Sequence, residues 1–141
     1  MKIKQFAEKF AVTTDTIRYY EKEGLLHPLK QDNGYRIFNT DCEHTMKLII
    51  VLRQLGFTLQ EIKQLLALDQ KPISTSCNQA TMQLFTSKIT AIKQQLHFYQ
   101  HALQSLQLTQ AYMADGHYEE NQEKIAELIE DMYQNLRKGR D

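Results

Sequence analysis

Several features are scarce in this chain of 141 residues, and each scarcity excludes a class of protein. Two cysteines, Cys42 and Cys77, do not make a disulfide framework, which favours a cytoplasmic protein. No apolar run approaches the roughly 18 residues of a membrane span, and the first residues lack the apolar segment of a signal peptide, so we expect no membrane partner. No phosphate loop, nucleophile–base pair or dense carboxylate cluster on a folded face occurs, so we do not expect an enzyme.

Glycine, proline and net charge are also low. Five glycines and two prolines, with a second half rich in Gln and Leu, favour a mainly helical fold. The 17 basic and 17 acidic side chains cancel, so any binding to nucleic acid has to depend on a local cluster of cations rather than on overall charge. A chain of this length buries a limited core, and oligomerisation would add to it.

The stretch from Thr13 to Leu26 is the most informative part of the sequence. Thr13 or Thr14 can cap the start of a helix there, and Gly24 can end it. This helix carries cations interleaved with hydroxyl-bearing aromatic residues, which suit phosphates and base edges better than a core. They are Arg18, Tyr19, Tyr20 and Lys22. A preceding helix over residues 3–10 and a short turn predict a helix-turn-helix, whose second helix usually enters the major groove.

The segment from Lys30 to Phe38 predicts a small β-hairpin around the turn sequence Asp-Asn-Gly. A two-stranded hairpin does not stand alone in water, so it has to pack on the preceding helices. We expect the packing side chains to be Leu29, Ile37 and Phe38. Arg36 alternates to the other face of the strand and is expected to point outward.

Two further helices are indicated by capping boxes. The first box predicts Thr40 as the N-cap with Glu43 three residues later, and Gly56 ends that helix. The second box, Thr58 with Glu61, opens a shorter amphipathic helix. Turn and polar residues over 69–76 then predict a domain boundary.

The clearest periodicity follows this boundary. Apolar residues recur at alternating spacings of three and four, the heptad pattern of a coiled coil. They are Met82, Phe85, Ile89, Ile92, Leu96, Tyr99, Leu103 and Leu106. A second copy of the same helix is the simplest partner for so narrow a stripe. A last amphipathic helix is expected over Tyr118 to Leu136, so we divide the chain into a DNA-binding domain at 1–70, a dimerisation helix at 77–112 and a C-terminal region at 113–141.

Three ordered motifs in this sequence resemble those of the MerR family of bacterial transcription regulators. Residues 16–26 are similar to the recognition helix of that family, residues 33–38 to its wing, and residues 52–62 to its second helix pair. The resemblance implies a mainly α fold with an N-terminal winged helix-turn-helix domain, a long dimerising helix and a short C-terminal helix. It also implies a homodimer joined by an antiparallel coiled coil, which binds a pseudo-palindromic promoter operator and distorts that DNA for RNA polymerase.

The same resemblance implies the residues that contact DNA. Recognition-helix residues would face bases or phosphates, while aromatic and basic residues of the helix and the wing would grip the backbone. The predicted contacts are Thr14, Thr16, Arg18, Tyr19, Tyr20, Lys22, Tyr35 and Arg36. Each phosphate contact would make binding weaker at higher salt.

The signal is not evident from the sequence, and alternatives stay open. Relatives that sense soft metals carry a cysteine near the start of the dimer helix, which Cys77 matches, but the loop after that helix has no cysteine; a metal site would need His117 instead. Cys42 is in the first turn of a helix, whose dipole could lower the pKa of its thiol for a role in stress sensing. Another alternative is a coiled-coil interaction protein that does not bind DNA.

Overall fold

A computed structural model of the chain describes residues 1–68 and 75–138, excluding the side chains of 75–77, 115 and 138. The fold is mainly α, as predicted. Its elements are α1 (Ile3–Lys9), α2 (Thr14–Lys22), β1 (Leu29–Lys30), β2 (Arg36–Ile37), α3 (Thr40–Gln54), α4 (Leu59–Ala67), α5 (Thr75–Met113) and α6 (Gln122–Lys138), with a 3₁₀ turn at Ala114–Gly116 between the last two. The predicted domain boundary at 69–76 lies largely outside the described residues.

Helices α1 and α2 form the predicted helix-turn-helix. Phe6 of α1 and Ile17 of α2 are both fully buried, so each helix contributes an apolar side chain to the core. The turn passes through Ala11 at a positive φ of 54°. The Oγ1 atom of Thr13 then accepts a hydrogen bond from the Thr16 amide at 3.1 Å, and Gly24 ends the helix region at φ 78°, so both predicted end signals are confirmed.

The wing is an antiparallel pair of two-residue strands joined through Gly34, which has φ 86°. Phe38, directly after β2, anchors the wing: its ring is buried and stacks on that of Phe6 with centroids 4.7 Å apart. The expectation that Leu29 also packs on the helices is wrong, since 58% of its surface is exposed. The hairpin is held at the end of β2, where the Phe38 amide donates a hydrogen bond to the Met1 carbonyl at 2.7 Å. Leu29, on β1, is not part of this contact.

The start of α3 corrects one prediction and the start of α4 confirms another. Asn39, not Thr40, is the N-cap of α3, because the backbone of Asn39 is extended and its Oδ1 accepts from the Cys42 amide at 3.1 Å. Thr40 is already the first helical residue. At α4 the predicted capping box is present, with Thr58 and Glu61 each accepting from the amide of the other, at 3.1 and 2.8 Å.

This correction gives a paired stability prediction. We expect Asn39→Ala to lower the free energy of unfolding by about 1 kcal/mol, because the Cys42 amide loses its acceptor. Thr40→Ala, the matched control, should change it by less than about 0.5 kcal/mol, as usual for an exposed position. Urea titrations followed by circular dichroism would measure both values. A larger loss for Thr40→Ala would restore Thr40 as the cap.

The described residues form two compact units, Met1–Gln83 and Leu84–Asp141, and α5 contributes residues to both. The first unit contains most of the buried side chains, which come from all of its helices and from the wing. Its largest ones are Phe6, Phe38, Ile17, Leu26, Met46, Ile49 and Ile62. A small core of this kind is sufficient to hold the helix-turn-helix and the wing in a fixed arrangement.

In the second unit, α6 begins four residues later than predicted, at Gln122 instead of Tyr118. The reason is a turn formed by Asn121. Its side-chain amide donates to the carbonyls of Tyr112 and His117, each at 3.1 Å, and its backbone carbonyl accepts the first helical hydrogen bond from Ile125. The turn therefore ties the end of α5 to the beginning of α6, which no local pattern in the sequence indicates.

Candidate nucleic-acid interface

A cleft of about 680 Å³ opens between the N-terminal residues, α2 and the wing. Three separate parts of the sequence meet there because the helix-turn-helix and the wing share one core. The lining residues are Lys2, Ile3, Lys4, Arg18, Glu21, Lys22, Gly34, Tyr35 and Arg36. Five of these nine residues are cationic and one is acidic, so this part of the surface is strongly basic although the whole chain is neutral.

The cleft brings together four of the eight predicted DNA contacts: Arg18, Lys22, Tyr35 and Arg36. The other four do not line it. Thr14 and Thr16 are half-buried at the start of α2, where the Oγ1 of Thr14 accepts from Arg18 at 3.3 Å and the hydroxyl of Thr16 lies 2.9 Å from that of Thr13. Tyr19 is 48% exposed, and its ring centroid lies 6.3 Å from that of the half-buried Tyr20.

The two arginines of the cleft differ in how they are held. Arg18 pairs with Asp15 of the same helix at 3.1 Å, and both side chains are well exposed, so the pair contributes little and exchanges easily. Arg36 does not simply point outward as expected. Its Nε donates to the Oε1 of Glu21 at 2.6 Å, which joins the wing to α2 across the cleft.

Lys2, Lys4 and Glu21 are cleft residues that the sequence analysis missed. The two lysines flank Ile3 at the start of α1, which is a weak signal for a binding site on its own. Their position beside the wing depends on the hydrogen bond between Phe38 and Met1, a contact that a sequence pattern does not reveal. In the structure the Nζ of Lys2 lies 5.2 Å from the ring centroid of Tyr35.

The position of Cys42 contradicts the idea of an activated thiol at a helix start. Its side chain is almost completely buried, and that burial raises the pKa of the thiol. Hydrogen bonds from the backbone at Asn39 and His27 act in the opposite direction but do not reverse the shift. Cys42 therefore has the environment of a small core residue rather than of a sensor.

Burial makes a testable prediction for Cys42. In a Cys77→Ser variant, where Cys42 is the only thiol, reaction with Ellman's reagent at pH 8 should be about 100-fold slower than in guanidinium chloride, because both thiolate formation and access are suppressed. Absorbance at the wavelength of the released product measures the two rates. Equal rates in the folded and unfolded protein would show that Cys42 is accessible and would reopen the sensing hypothesis.

The other proposed effector residues are not assembled into a metal site in the part of the chain that the structure describes. His117 pairs with Glu120, with Nδ1 and Oε2 3.4 Å apart, and the side chain of Cys77 lies outside the described residues. Among described residues, no group of three or more His, Cys, Asp or Glu side chains is placed to hold a metal ion. Nor is any described helix long and apolar enough to cross a membrane.

The predicted dimerisation residues share one property in the single chain. All eight heptad side chains of α5 are exposed, from 36% for Ile92 to 65% for Tyr99. Ser105, on the same helix but outside the heptad stripe, is by contrast buried. The stripe is thus an apolar surface that remains accessible after this chain has folded.

A helix-turn-helix, a two-stranded wing packed on it and a long following helix define a winged helix-turn-helix regulator. The family description "MerR HTH family regulatory protein" matches residues 1–69, and "MerR, DNA binding" matches residues 43–109. The chain belongs to the MerR family. This confirms the family resemblance read from the three motifs and the prediction that the chain is not an enzyme.

Individual relatives and a solved structure agree with this assignment. The HTH-type transcriptional regulator CueR of Vibrio cholerae is 36% identical over 105 residues, which cover 68% of this chain and 76% of CueR. ZntR of Escherichia coli K12 is 35% identical over 80 residues, 56% of this chain and 57% of ZntR, so the match spans little more than half of that relative. One similar solved structure is that of HiNmlR, a MerR family regulator lacking the sensor domain, bound to promoter DNA. The two structures have a TM-score of 0.64 at 22% sequence identity, and the match covers 91% of this chain and 94% of the HiNmlR chain. This similarity supports the fold.

Proposed function

We propose that this chain is a homodimeric regulator of transcription that binds a pseudo-palindromic operator in promoter DNA. The observation that carries the proposal is the basic cleft between α2 and the wing. In winged helix-turn-helix proteins the second helix lies in the major groove, and neighbouring cations contact the phosphate backbone. HiNmlR, which has the same fold, was solved with promoter DNA bound, and this supports the same activity here.

The proposed dimer forms through the heptad stripe of α5. Its eight side chains are apolar and exposed in one chain, and a coiled coil between two copies would bury them. A two-fold dimer then presents two α2 helices to the two halves of the operator, at a separation that the coiled coil sets. Distortion of the bound promoter, which changes its use by RNA polymerase in the cytoplasm, completes the mechanism that the family resemblance implies.

Salt dependence of operator binding tests this proposal. The probe is a fluorescent duplex containing the promoter next to the gene of this protein, titrated by anisotropy between about 50 and 200 mM salt, where the logarithm of the affinity falls linearly with the logarithm of the salt concentration. Two copies that each contact three phosphates give a slope of about −5. A scrambled duplex of equal length is the control for specificity.

The alternative, a coiled-coil interaction protein without DNA binding, makes the opposite prediction. Such a protein would leave both duplexes unbound, or bind them with no dependence on salt, and would retain a protein partner in a pull-down. The five cations of the cleft favour the DNA-binding function, because a protein surface of that charge has no evident role in a coiled coil.

A further inference from the structure

Glu21 is out of place in a surface that binds DNA. Among the described residues that line the cleft it is the only carboxylate, surrounded by the cations Lys2, Lys4, Arg18, Lys22 and Arg36. A negative charge close to a phosphate weakens binding by Coulomb repulsion. A carboxylate at this position therefore needs a function that outweighs its repulsion.

The geometry of the Glu21–Arg36 pair supplies such a function. The contact joins α2 to β2 across 15 residues of sequence, at 2.6 Å between Oε1 and Nε, with side chains 25% and 40% exposed. Only the Nε of Arg36 is engaged by a described residue, so the four N–H groups on its two terminal nitrogens keep their capacity to donate. Because a guanidinium is planar and rigid, holding Nε fixes the direction of this fork.

The N-terminal residues that line the cleft are also held in place by contacts with the wing. The hydrogen bond from the Phe38 amide to the Met1 carbonyl fastens the N-terminal residues to the end of the wing. Next in sequence, Lys2 is the N-cap of α1, and its ammonium group lies over the ring of Tyr35. Two cations from distant parts of the sequence, Lys2 and Arg36, thus line one cleft from supported positions.

We propose that this cleft is a seat for one phosphate of the DNA backbone, contacted by Lys2 and by the terminal nitrogens of Arg36, with Glu21 as the positioning residue for Arg36. The inference rests on the proposed DNA binding and deepens it. A bidentate guanidinium contact is strong and directional, and its strength depends on the orientation of the fork. Glu21 supplies this orientation from α2, so the recognition helix and the wing contact the same DNA as one rigid unit.

A change at Glu21 distinguishes positioning from simple electrostatics by the sign of its effect. Removing a negative charge beside DNA should tighten binding if charge alone matters. If Glu21 orients Arg36, Glu21→Ala should instead weaken operator binding about tenfold, the usual cost of one well-aligned charge-assisted contact. Glu21→Gln keeps an oxygen that can accept from Nε and should recover much of this loss. Glu23→Ala, at the end of the same helix, removes a carboxylate that does not line the cleft and should not weaken binding.

The number of phosphate contacts provides a second readout, which a general loss of folding would not reproduce. The salt slope should become shallower by up to about one per protomer in Glu21→Ala and in Lys2→Gln, because each variant weakens the neutralisation of the same phosphate. In Arg36→Gln the further change Glu21→Ala should not weaken binding any further, because no guanidinium remains to be positioned and only the repulsion by the carboxylate is removed. Thermal unfolding by circular dichroism checks that the variants are folded.

The outcomes separate this inference from the proposed function. If the unsubstituted protein binds the operator but Glu21→Ala binds as tightly or more tightly, the positioning role is refuted and the function stands. Additive effects of Glu21→Ala and Arg36→Gln would refute it as well. If the unsubstituted protein binds no duplex at all, both the function and the phosphate seat fail.

Discussion

A Leu96→Glu variant is expected to be a monomer at micromolar concentration and to lose operator binding by more than about 100-fold. Leu96 is near the middle of the heptad stripe and 55% exposed in the single chain. In a coiled coil this position is buried against the partner helix, and a carboxylate there would be desolvated in both copies without a compensating partner. The single chain, by contrast, leaves position 96 in water and tolerates the change.

The effect on DNA binding follows from the loss of the second DNA-binding domain of the proposed dimer. A dimer binds the two halves of an operator with the affinity gain of linked sites, whereas a monomer has one α2 helix and one wing to offer. Sedimentation equilibrium measures the association state, and anisotropy with the operator duplex measures affinity. The matched control is Gln94→Glu, which adds the same charge at an exposed position on the outer side of the heptad pattern. A Leu96→Glu protein that remains dimeric would exclude the heptad stripe of α5 as the dimer interface.

The elements that the sequence predicted correctly are those with local causes. Gly24 and Gly56 both have positive φ at the ends of helices, and Thr58 with Glu61 closes a capping box within four residues. The heptad stripe of α5 is visible for the same reason, since its periodicity depends on one helix alone. Each of these signals acts over one or two turns of backbone, which is the range that a sequence pattern describes.

The errors arise where two local solutions compete or where the partner is distant. Asn39 and Thr40 are both good N-caps, and the extended backbone at Asn39 decides between them. Asn121 delays α6 by bonding to a carbonyl nine residues earlier. Cys42 is in the first turn of a helix as expected, but packing of the core around it raises the pKa of its thiol, which the dipole argument alone did not anticipate.

The cations that the candidate site takes from α2 and the wing could be predicted from the sequence. The contacts that bring them together in one cleft could not. Arg18 and Arg36 are identified by residue type within motifs, whereas the cleft that joins them requires Lys2 from the N-terminus and Glu21 from α2. Those two residues acquire their role through contacts of long sequence separation: the pair from Phe38 to Met1 and the pair from Arg36 to Glu21. Contacts of this kind leave no periodicity behind, and a three-dimensional structure is needed to find them.

The last prediction separates the two arginines by what each of them contacts on DNA. Arg18→Ala is expected to weaken operator binding by about 10- to 100-fold and to bring it close to the affinity for a scrambled duplex, since the proposed function places α2 in the major groove against base edges. Arg36→Ala, acting on the backbone, should weaken binding to both duplexes by a similar factor and leave their ratio unchanged. The exposed pair of Arg18 with Asp15 does not oppose this role, because water-exposed ion pairs break at little cost when a base is offered.

Competition anisotropy with the two duplexes measures both affinities and their ratio for each variant. Arg137→Ala, on α6 in the other unit, is the control for a lost arginine charge and should change neither quantity by more than about twofold. An Arg18→Ala protein that keeps its preference for the operator would assign base reading to other residues of α2, with the exposed Tyr19 the next to test. A loss of preference in Arg36→Ala would mean that the wing contributes to sequence recognition through the shape of the DNA, because a phosphate contact carries no base identity of its own.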